Sequence, residues 1–133
     1  MPAPIRVFVI DDHDDVRQAL MACLSLAPGV QVVGGAGDAE ESVRQVRALC
    51  PDVVLVETKR ADGRGLEIVS WIAHGTAGAR VIVLTSYPSE WERWAAYRAG
   101  AGSYLLKDIG SPQLIAQIQA GAKSDLPTVA SSS

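Results

Sequence analysis

The sequence predicts an α/β protein in which five parallel strands form one doubly wound sheet and alternate with five helices. Two observations carry this prediction. Short apolar runs rich in β-branched residues recur along the 133 residues, as expected for strands that are buried on both faces. Segments with a helical period lie between them, and the short connections imply right-handed crossovers with helices covering the sheet.

Five segments are predicted as strands. Three are unbroken apolar runs, namely Ile5 to Ile10, Val53 to Val56 and Val81 to Leu84. Two further candidates, Val30 to Val33 and Ser103 to Leu106, are weaker when taken alone. Each of these two lies between helical segments, so the order of elements favours a strand there as well.

Five segments are predicted as helices from the spacing of their apolar residues. They are Asp14 to Leu26, Glu40 to Leu49, Gly65 to Ala73, Ser89 to Ala99 and Pro112 to Ala122. The first helix has an apolar face made of Val16, Leu20, Cys23 and Leu24. The last has a proline at its first position, where the missing amide hydrogen costs nothing.

One domain is expected from the length of 133 residues and the hydrophobic content of 48%. We assign residues 1–123 to it and read residues 124–133, which are small and polar, as a flexible tail or a truncated linker. The first apolar run is too short for a signal peptide or a membrane span, so a cytoplasmic protein without membrane contact is expected.

The charge balance argues against a nucleic-acid-binding surface. Twelve basic and 15 acidic residues give a formal net charge of -3, whereas nucleic-acid-binding domains are usually basic. The two cysteines, Cys23 and Cys50, show no CxxC spacing, which disfavours a zinc site or a disulfide framework. Direct binding of DNA by this chain is therefore not expected.

Polar residues follow most of the predicted strands. They are Asp11 and Asp12 after the first strand, Glu57 after the third, Thr85 and Ser86 after the fourth and Lys107 after the fifth. The carboxyl ends of parallel strands share one edge, so we expect these side chains to face one pocket. Three carboxylates there repel one another and require a cation, either a divalent ion or the Lys107 ammonium. Alternatively, the acids and the threonine only cap the helices that follow.

Four stretches of the chain point to a known family: IRVFVIDDHDDVRQAL, PDVVLVETKRADGRGLE, VIVLTSY and RAGAGSYLLKD. They resemble the response-regulator receiver domains of two-component systems, particularly the branch that usually carries a LuxR-type helix-turn-helix. The resemblance runs from Ile5 to Ala122. It implies a flavodoxin-like (βα)5 receiver fold and a regulatory, non-enzymatic role in a phosphorelay that controls transcription through an output domain or a partner.

The resemblance also implies roles for individual residues. Asp11 and Asp12 would hold Mg²⁺, Thr85 and Lys107 would grip a phosphoryl group, and Tyr104 would be the aromatic switch. The phosphate-accepting position, which is aspartate in the family, falls on Glu57, and the Met-Pro pair that follows it in the family is replaced here by Arg60 and Ala61.

Glu57 changes the expected chemistry through geometry, because the carboxyl groups of aspartate and glutamate have similar pKa values in water. The extra methylene moves the carboxylate by about 1.5 Å, into the space that an incoming phosphoryl group needs. We hypothesise that Glu57 forms a standing ion pair with Lys107 and makes the domain independent of phosphorylation. A carboxylate carries less charge than a phosphoryl group, so an intermediate state is as open as a fully active one.

A cation supplied by the chain would make Mg²⁺ unnecessary. If the ammonium of Lys59 folds back among the acids, it neutralises them, and no cofactor is expected. If an ion does bind, Asp12 and Glu57 are its expected ligands. The alternative is that Lys59 and Arg60 lie on an exposed loop and point to solvent.

The fourth predicted helix carries three aromatic residues, Trp91, Trp94 and Tyr97. In the family this helix, the fifth strand and the last helix form the face that docks partners or a second copy. Exposed aromatics would anchor such an interface, whereas an i, i+3 stripe more commonly packs into a core. His13 and His74 are isolated, and a surface or capping role is expected for both.

Two other functions remain open on the sequence alone. One is a working receiver in which Glu57 or Asp12 takes phosphate from a histidine kinase. The other is a phosphatase of the haloacid-dehalogenase type, which also combines acids, threonine and lysine on an α/β sheet. Its acids are spaced as DxD, whereas Asp11, Asp12 and His13 are not.

Overall fold

The computed structural model describes residues 3–75, 78–107 and 111–123, in which strands and helices alternate as predicted. The strands are β1 (Ile5–Ile10), β2 (Val30–Ala36), β3 (Val53–Glu57), β4 (Arg80–Thr85) and β5 (Ser103–Leu106). The helices are α1 (Asp14–Ser25), α2 (Ala39–Leu49), α3 (Gly65–Gly75), α4 (Glu90–Ala99) and α5 (Ser111–Lys123). The predicted tail, residues 124–133, lies outside the described residues.

The strands form one parallel sheet in the order β2-β1-β3-β4-β5, which confirms the doubly wound fold. The winding reverses direction at β1, and in such sheets a crevice opens there, beyond the carboxyl ends of β1 and β3. Ile10 pairs with Val56, so Asp11 and Glu57 end neighbouring strands at the same level. Thr85 pairs with Leu106, which places Lys107 just beyond it.

The sheet separates two apolar layers, because successive side chains of a strand point to opposite faces. Val54 and Val56 pack on the side covered by α2, α3 and α4. Val53 and Leu55 pack on the side covered by α1 and α5. All four residues are at most 1% exposed, as expected for a strand that is buried on both faces.

The predicted apolar face of α1 is only partly covered. Leu24 is fully buried, but Val16 is 39% exposed. Leu20 and Cys23 are intermediate. A groove lined by Val16, Leu20, Cys23 and Leu114 lies between α1 and α5 and leaves part of this face open.

Helix α4 has clear local signals at both ends. Ser89, predicted as the first helical residue, is instead the N-cap, and its hydroxyl oxygen accepts the Glu92 amide hydrogen at 3.0 Å. Gly100 ends the helix with a φ of 117°, and a Cβ there would lie 2.4 Å from the Ala73 Cβ. Within the described ranges, no helix combines the length and the apolar character that a membrane crossing requires.

Candidate functional site

The structure brings Asp11, Glu57 and Lys107 together at the carboxyl edge of the sheet. Asp11 is 1% exposed and Glu57 is 3% exposed. The Lys107 side chain is 17% exposed and reaches inward from the residue after β5. Ser86 and Tyr87 line the same pocket from the residues after β4. The predicted convergence of strand ends at one pocket is therefore observed.

Lys107 forms ion pairs with two carboxylates. Its Nζ lies 2.5 Å from Asp11 Oδ2 and 3.0 Å from Glu57 Oε1. Burial alone would lower the pKa of Lys107, but the hydrogen bonds and charges of Asp11 and Glu57 outweigh it and raise that pKa. Burial alone would likewise raise the pKa of Asp11, whose hydrogen bonds from Lys107 and His13 instead lower it. Both partners are therefore held in their charged forms at neutral pH.

Glu57 is held at both of its oxygens. Oε2 accepts a hydrogen bond of 2.7 Å from the backbone amide of Lys59. Oε1 forms the ion pair of 3.0 Å with Lys107 Nζ. The carboxylate therefore lies where the hypothesis of a standing Glu57–Lys107 pair requires it.

His13 bridges the two acids that follow β1. Its Nδ1 lies 2.9 Å from Asp11 Oδ1 and 3.2 Å from Asp12 Oδ1. The hydrogen bond and the charge of Asp11, followed by the charge of Asp12, raise the pKa of His13. The ring is 56% exposed and makes no capping hydrogen bond to α1. The surface position of His13 is as expected. The sequence analysis missed its pairing with both acids, for which the only signal was that the three residues are adjacent in the sequence.

The donor set does not fit Mg²⁺ in the observed arrangement. Asp11, Asp12 and His13 could surround an ion, since their ligand atoms lie within 4.8 Å of one another. Mg²⁺ requires nearly octahedral oxygen ligands at about 2.0–2.1 Å. Every carboxylate oxygen of Asp11, Asp12 and Glu57 already has a nitrogen within 3.2 Å, supplied by Lys107, His13 or a backbone amide. An ion would have to displace Lys107 and His13 from these oxygens.

The structure does not place Lys59 among the acids. Its amide faces Glu57, whereas its Nζ forms an ion pair at 3.7 Å with Glu92 Oε2 on α4. The expectation that Lys59 supplies the internal cation is therefore wrong. The reason is that the chain turns after β3, so the amide of Lys59 contacts Glu57 whereas its side chain contacts Glu92. Lys107 instead supplies the positive charge beside the acids.

Arg60 is buried, so the alternative in which it points to solvent is also wrong. Its side chain is 2% exposed, and its guanidinium makes two hydrogen bonds to Asp62, at 3.0 and 2.9 Å. Arg60 lowers the pKa of Asp62 to about 2. The pKa of Arg60 itself is raised, first by Asp62 and then by the charges of Asp12 and Asp11. A second internal cation thus lies within electrostatic reach of the acids.

Tyr104, the predicted switch residue, points towards α4. Its hydroxyl donates a hydrogen bond of 2.6 Å to Glu92 Oε1 and accepts one of 3.3 Å from the Ser89 amide. Burial, followed by the hydrogen bond to Glu92, raises the pKa of Tyr104 to about 12. Thr85 is fully buried, and its hydroxyl oxygen accepts the Tyr87 amide hydrogen at 3.2 Å. Sequence reasoning missed Glu92, which resembles any charged residue of a surface helix.

The aromatic residues of α4 face solvent. Trp91 is 70% exposed, Trp94 is 59% exposed and Tyr97 is 42% exposed, so the alternative of a partly buried core stripe is wrong. Arg98 lies over the Trp94 ring at 4.6 Å from its centroid, and Arg93 lies 5.8 Å from that of Tyr97. We call Trp91, Trp94 and Tyr97 the aromatic face.

Comparison with known proteins gives a consistent result. The family model described as "Response regulator receiver domain" matches residues 7–119. The transcriptional regulatory protein LiaR of Bacillus subtilis is 36% identical over 121 residues, which are 91% of this chain and 57% of LiaR. The DNA-binding transcriptional activator DevR/DosR of Mycobacterium tuberculosis is 36% identical over 83% of this chain and 51% of its own length. The chain thus spans just over half the length of these relatives.

Solved structures of similar proteins share the fold. The signal receiver domain of the putative response regulator NarL from Mycobacterium tuberculosis superposes with a TM-score of 0.85 at 28% identity, covering 92% of this chain and 99% of that one. A LuxR-family two-component response regulator from Aurantimonas superposes with a TM-score of 0.84 at 28% identity, over 91% of this chain and 86% of that one. These matches favour a receiver over the haloacid-dehalogenase alternative.

Proposed function

Because this chain belongs to the response regulator receiver domain family, in its LuxR-type branch, we propose that it is a signalling module whose pocket is held by the Glu57–Lys107 ion pair instead of a phosphoryl group. The observation that carries the proposal is the 3.0 Å separation of Lys107 Nζ and Glu57 Oε1. In this role the domain binds and regulates, and it performs no catalysis of its own.

The surroundings of Glu57 support loss of phosphate acceptance. A nucleophilic carboxylate must present a free oxygen in line with the phosphorus atom, and small misplacements cost large factors in rate. Here the Lys59 amide engages Oε2, and Lys107 faces Oε1. A phosphoryl donor would have to break one of these contacts and also find room beside a side chain that is one methylene too long.

The pair imitates a phosphorylated pocket only in part. A carboxylate brings one negative charge and two acceptor oxygens, whereas a phosphoryl group brings roughly -1.5 to -2 and three. Glu57 forms an ion pair with Lys107. Among the contacts of the described residues, no hydrogen bond joins Glu57 to Thr85. This pattern favours a fixed state that lies between the resting and the fully activated conformation.

The positive charges of the chain support independence from Mg²⁺. Lys107 and His13 contact the pocket carboxylates, and Arg60 adds a buried guanidinium nearby. Positive charge that is tethered to the chain loses no translational freedom on binding, whereas a free ion does. We propose that these residues take the electrostatic role that Mg²⁺ has in the family.

The output of the module is proposed to run through α4, β5 and α5. The aromatic face on α4 supplies rigid, exposed anchors for a second copy of this chain or for another protein. Residues 1–123 then form the regulatory unit, and residues 124–133 form a tail or linker. By analogy with relatives that are named as transcriptional regulators, the process controlled would be transcription, through an output domain or partner.

The central proposal is tested by challenging the natural chain and Glu57→Asp with acetyl phosphate or beryllofluoride in the presence of Mg²⁺. Intact mass detects a phosphoryl group, and tryptophan fluorescence reports on Trp91 and Trp94 of α4 together with Trp71 of α3. The control Glu67→Asp makes the same change at a side chain on α3 that is 47% exposed. We expect the natural chain and the control to be inert and Glu57→Asp to respond.

Two outcomes would overturn the proposal. A response of the natural chain would mean that Glu57 has not silenced the pocket, and would favour the alternative of a receiver that is phosphorylated by a histidine kinase. Inertness of Glu57→Asp as well would mean that the extra methylene is not what prevents phosphorylation.

A further inference from the structure

Glu92 is a buried carboxylate outside the acidic pocket. It is 7% exposed although it lies on α4, whose other charged residues face solvent. Among the described residues, only Asp11, Glu57 and Glu92 combine a carboxylate with less than a tenth of their surface exposed. Burial of a carboxylate costs free energy unless hydrogen-bond donors and cations contact it, so the contacts of Glu92 must offset this cost.

Three elements of the fold meet at this carboxylate. Oε2 accepts a hydrogen bond of 3.0 Å from the Thr58 hydroxyl, at the residue directly after β3. Oε1 accepts a hydrogen bond of 2.6 Å from the Tyr104 hydroxyl on β5. The Lys59 ammonium lies 3.7 Å from Oε2 and supplies a partly exposed positive charge. Both oxygens thus accept a hydrogen bond from a hydroxyl group, one from the residue after β3 and one from β5.

The inward orientation of Tyr104 follows from these bonds. Its hydroxyl donates to Glu92 and accepts from the Ser89 amide, and the Thr85 side chain is a further hydrogen-bonding neighbour. If Tyr104 turned outward, Glu92 Oε1 would lose its donor in a buried position, which is costlier than losing an exposed bond. A short hydrogen bond to a charged acceptor is also among the stronger kinds.

We propose that Glu92 is a positioning residue that holds Tyr104 against α4 and connects it to Thr58, the neighbour of Glu57. The inference rests on the proposed function, because it assumes that the orientation of Tyr104 matters for signalling by this domain. Through Glu92, a displacement of the chain at Thr58 reaches Tyr104 and the first turn of α4, which carries Trp91. The conformation of the pocket and the conformation of the aromatic face are then coupled.

The charge of Glu92 can be removed without changing the size of its side chain. In Glu92→Gln one amide oxygen still accepts a hydroxyl, but the amide nitrogen would face a second hydroxyl with its donor hydrogens. The matched control is Glu90→Gln, which removes the same charge from the same helix turn at a side chain that is 91% exposed. Glu92→Asp keeps the charge but shortens the reach.

The experiment uses NMR of the natural chain and its variants with tyrosine labelled by carbon-13 at Cζ, near neutral pH. The chain has three tyrosines, and Tyr104→Phe assigns the Tyr104 signal by its disappearance. A soluble paramagnetic agent reports how exposed the ring is. We expect Glu92→Gln to shift the Tyr104 signal and increase its broadening by the agent at least twofold, while Glu90→Gln leaves both unchanged.

Thr58→Val tests the connection to β3, since it removes the hydroxyl and keeps the shape of the side chain. We expect it to move the Tyr104 signal in the same direction as Glu92→Gln, by a smaller amount. An unchanged Tyr104 signal in Glu92→Gln would overturn the positioning role, and an unchanged signal in Thr58→Val would overturn the connection. No phosphoryl donor or partner is used, so these outcomes are independent of whether Glu57 silences the pocket.

Discussion

The Lys107 ammonium lies 3.0 Å from the Glu57 carboxylate, and this ion pair spans the ends of β3 and β5. Asp11 completes the arrangement at 2.5 Å from the same nitrogen. One ammonium group thus forms ion pairs with two buried carboxylates. The pocket is therefore a structural element of this chain, and its contribution to the stability of the fold can be measured.

Replacing Lys107 by methionine should destabilise the fold. The change keeps a side chain of similar length but leaves Asp11 and Glu57 buried without their ammonium, and removal of one partner of a buried pair costs about 3 kcal/mol or more. Urea denaturation at neutral pH measures the loss. Arg93→Met, at a side chain that is 47% exposed and pairs with the exposed Glu90, is the control and should cost less than about 1 kcal/mol. Equal losses in both variants would contradict the assigned role of Lys107.

Magnesium should bind this chain weakly or not at all. The ion would compete with Lys107 and His13 for carboxylate oxygens that already have nitrogen partners. Isothermal titration calorimetry of the natural chain with MgCl₂ should show no saturable heat at millimolar concentrations. The same titration with CaCl₂ controls for nonspecific screening by a divalent ion. A saturable isotherm specific for magnesium would show that the tethered cations do not replace it.

The stability of the fold should fall at alkaline pH through Tyr104. Burial and Glu92 raise its pKa to about 12, from the ordinary value of 10.0 that it has in the unfolded chain. A group whose pKa is raised on folding contributes stability that is fully present below its unfolded pKa and is lost as pH rises through the folded value. The loss attributable to Tyr104 should therefore occur between about pH 10 and 12.

Tyr104→Phe isolates this effect. The variant should lose the hydrogen bond to Glu92 at every pH, but the difference in urea midpoint between it and the natural chain should narrow from pH 8 to pH 11, because only the natural chain has the Tyr104 proton to lose. A constant difference across this range would show that Tyr104 does not titrate differently in the folded state.

The aromatic face should drive self-association. Trp91 and Trp94 are large, exposed and close together on α4, and truncation of such anchors commonly costs an interface about 2 kcal/mol or more, which corresponds to roughly 30-fold in affinity. Sedimentation over a range of concentrations should show dimers of the natural chain and their loss in the double variant Trp91→Ser/Trp94→Ser. Val16→Ser, at an exposed apolar position on α1, is the control. A natural chain that is monomeric throughout would leave another protein as the ligand of this face.

Gly100 should tolerate no side chain. Its φ of 117° disfavours other residues, and a Cβ would meet the Ala73 Cβ at 2.4 Å. Gly29 has a φ of 76°, and a Cβ added there would meet nothing within 4 Å, so Gly29→Ala measures the backbone cost alone. We expect about 1 kcal/mol for Gly29→Ala and clearly more for Gly100→Ala in urea denaturation. Equal costs would mean that α3 and α4 separate easily at Ala73.

The sequence predicted the architecture correctly, and it also predicted that side chains after β1, β3 and β5 would lie close together. β-branched runs such as Val53 to Val56 identify buried strands, and alternation with helices determines a parallel sheet. The carboxyl ends of parallel strands share an edge, so the proximity of Asp11, Glu57 and Lys107 follows from their positions in the chain. No tertiary information is needed for that step, because topology alone brings these backbones together.

The direction of long side chains was not predictable in the same way. Lys59 extends to Glu92, Arg60 folds inward onto Asp62, and His13 bridges two acids, although each follows a strand as the other pocket residues do. A long, flexible side chain reaches several possible partners from one backbone position, and only the packed neighbours decide between them. Local sequence patterns contain no information about those neighbours.

The sequence by itself determined the strands, the helices and the set of residues at the edge of the sheet, because these depend on periodicity and chain order. Only the tertiary structure decided that Lys107 is the internal cation, that Glu92 is buried beneath Tyr104, and that the aromatic residues of α4 face solvent. The physical reason is that ion pairing, burial and exposure are properties of contacts between distant segments, and these contacts exist only once the helices have packed on the sheet.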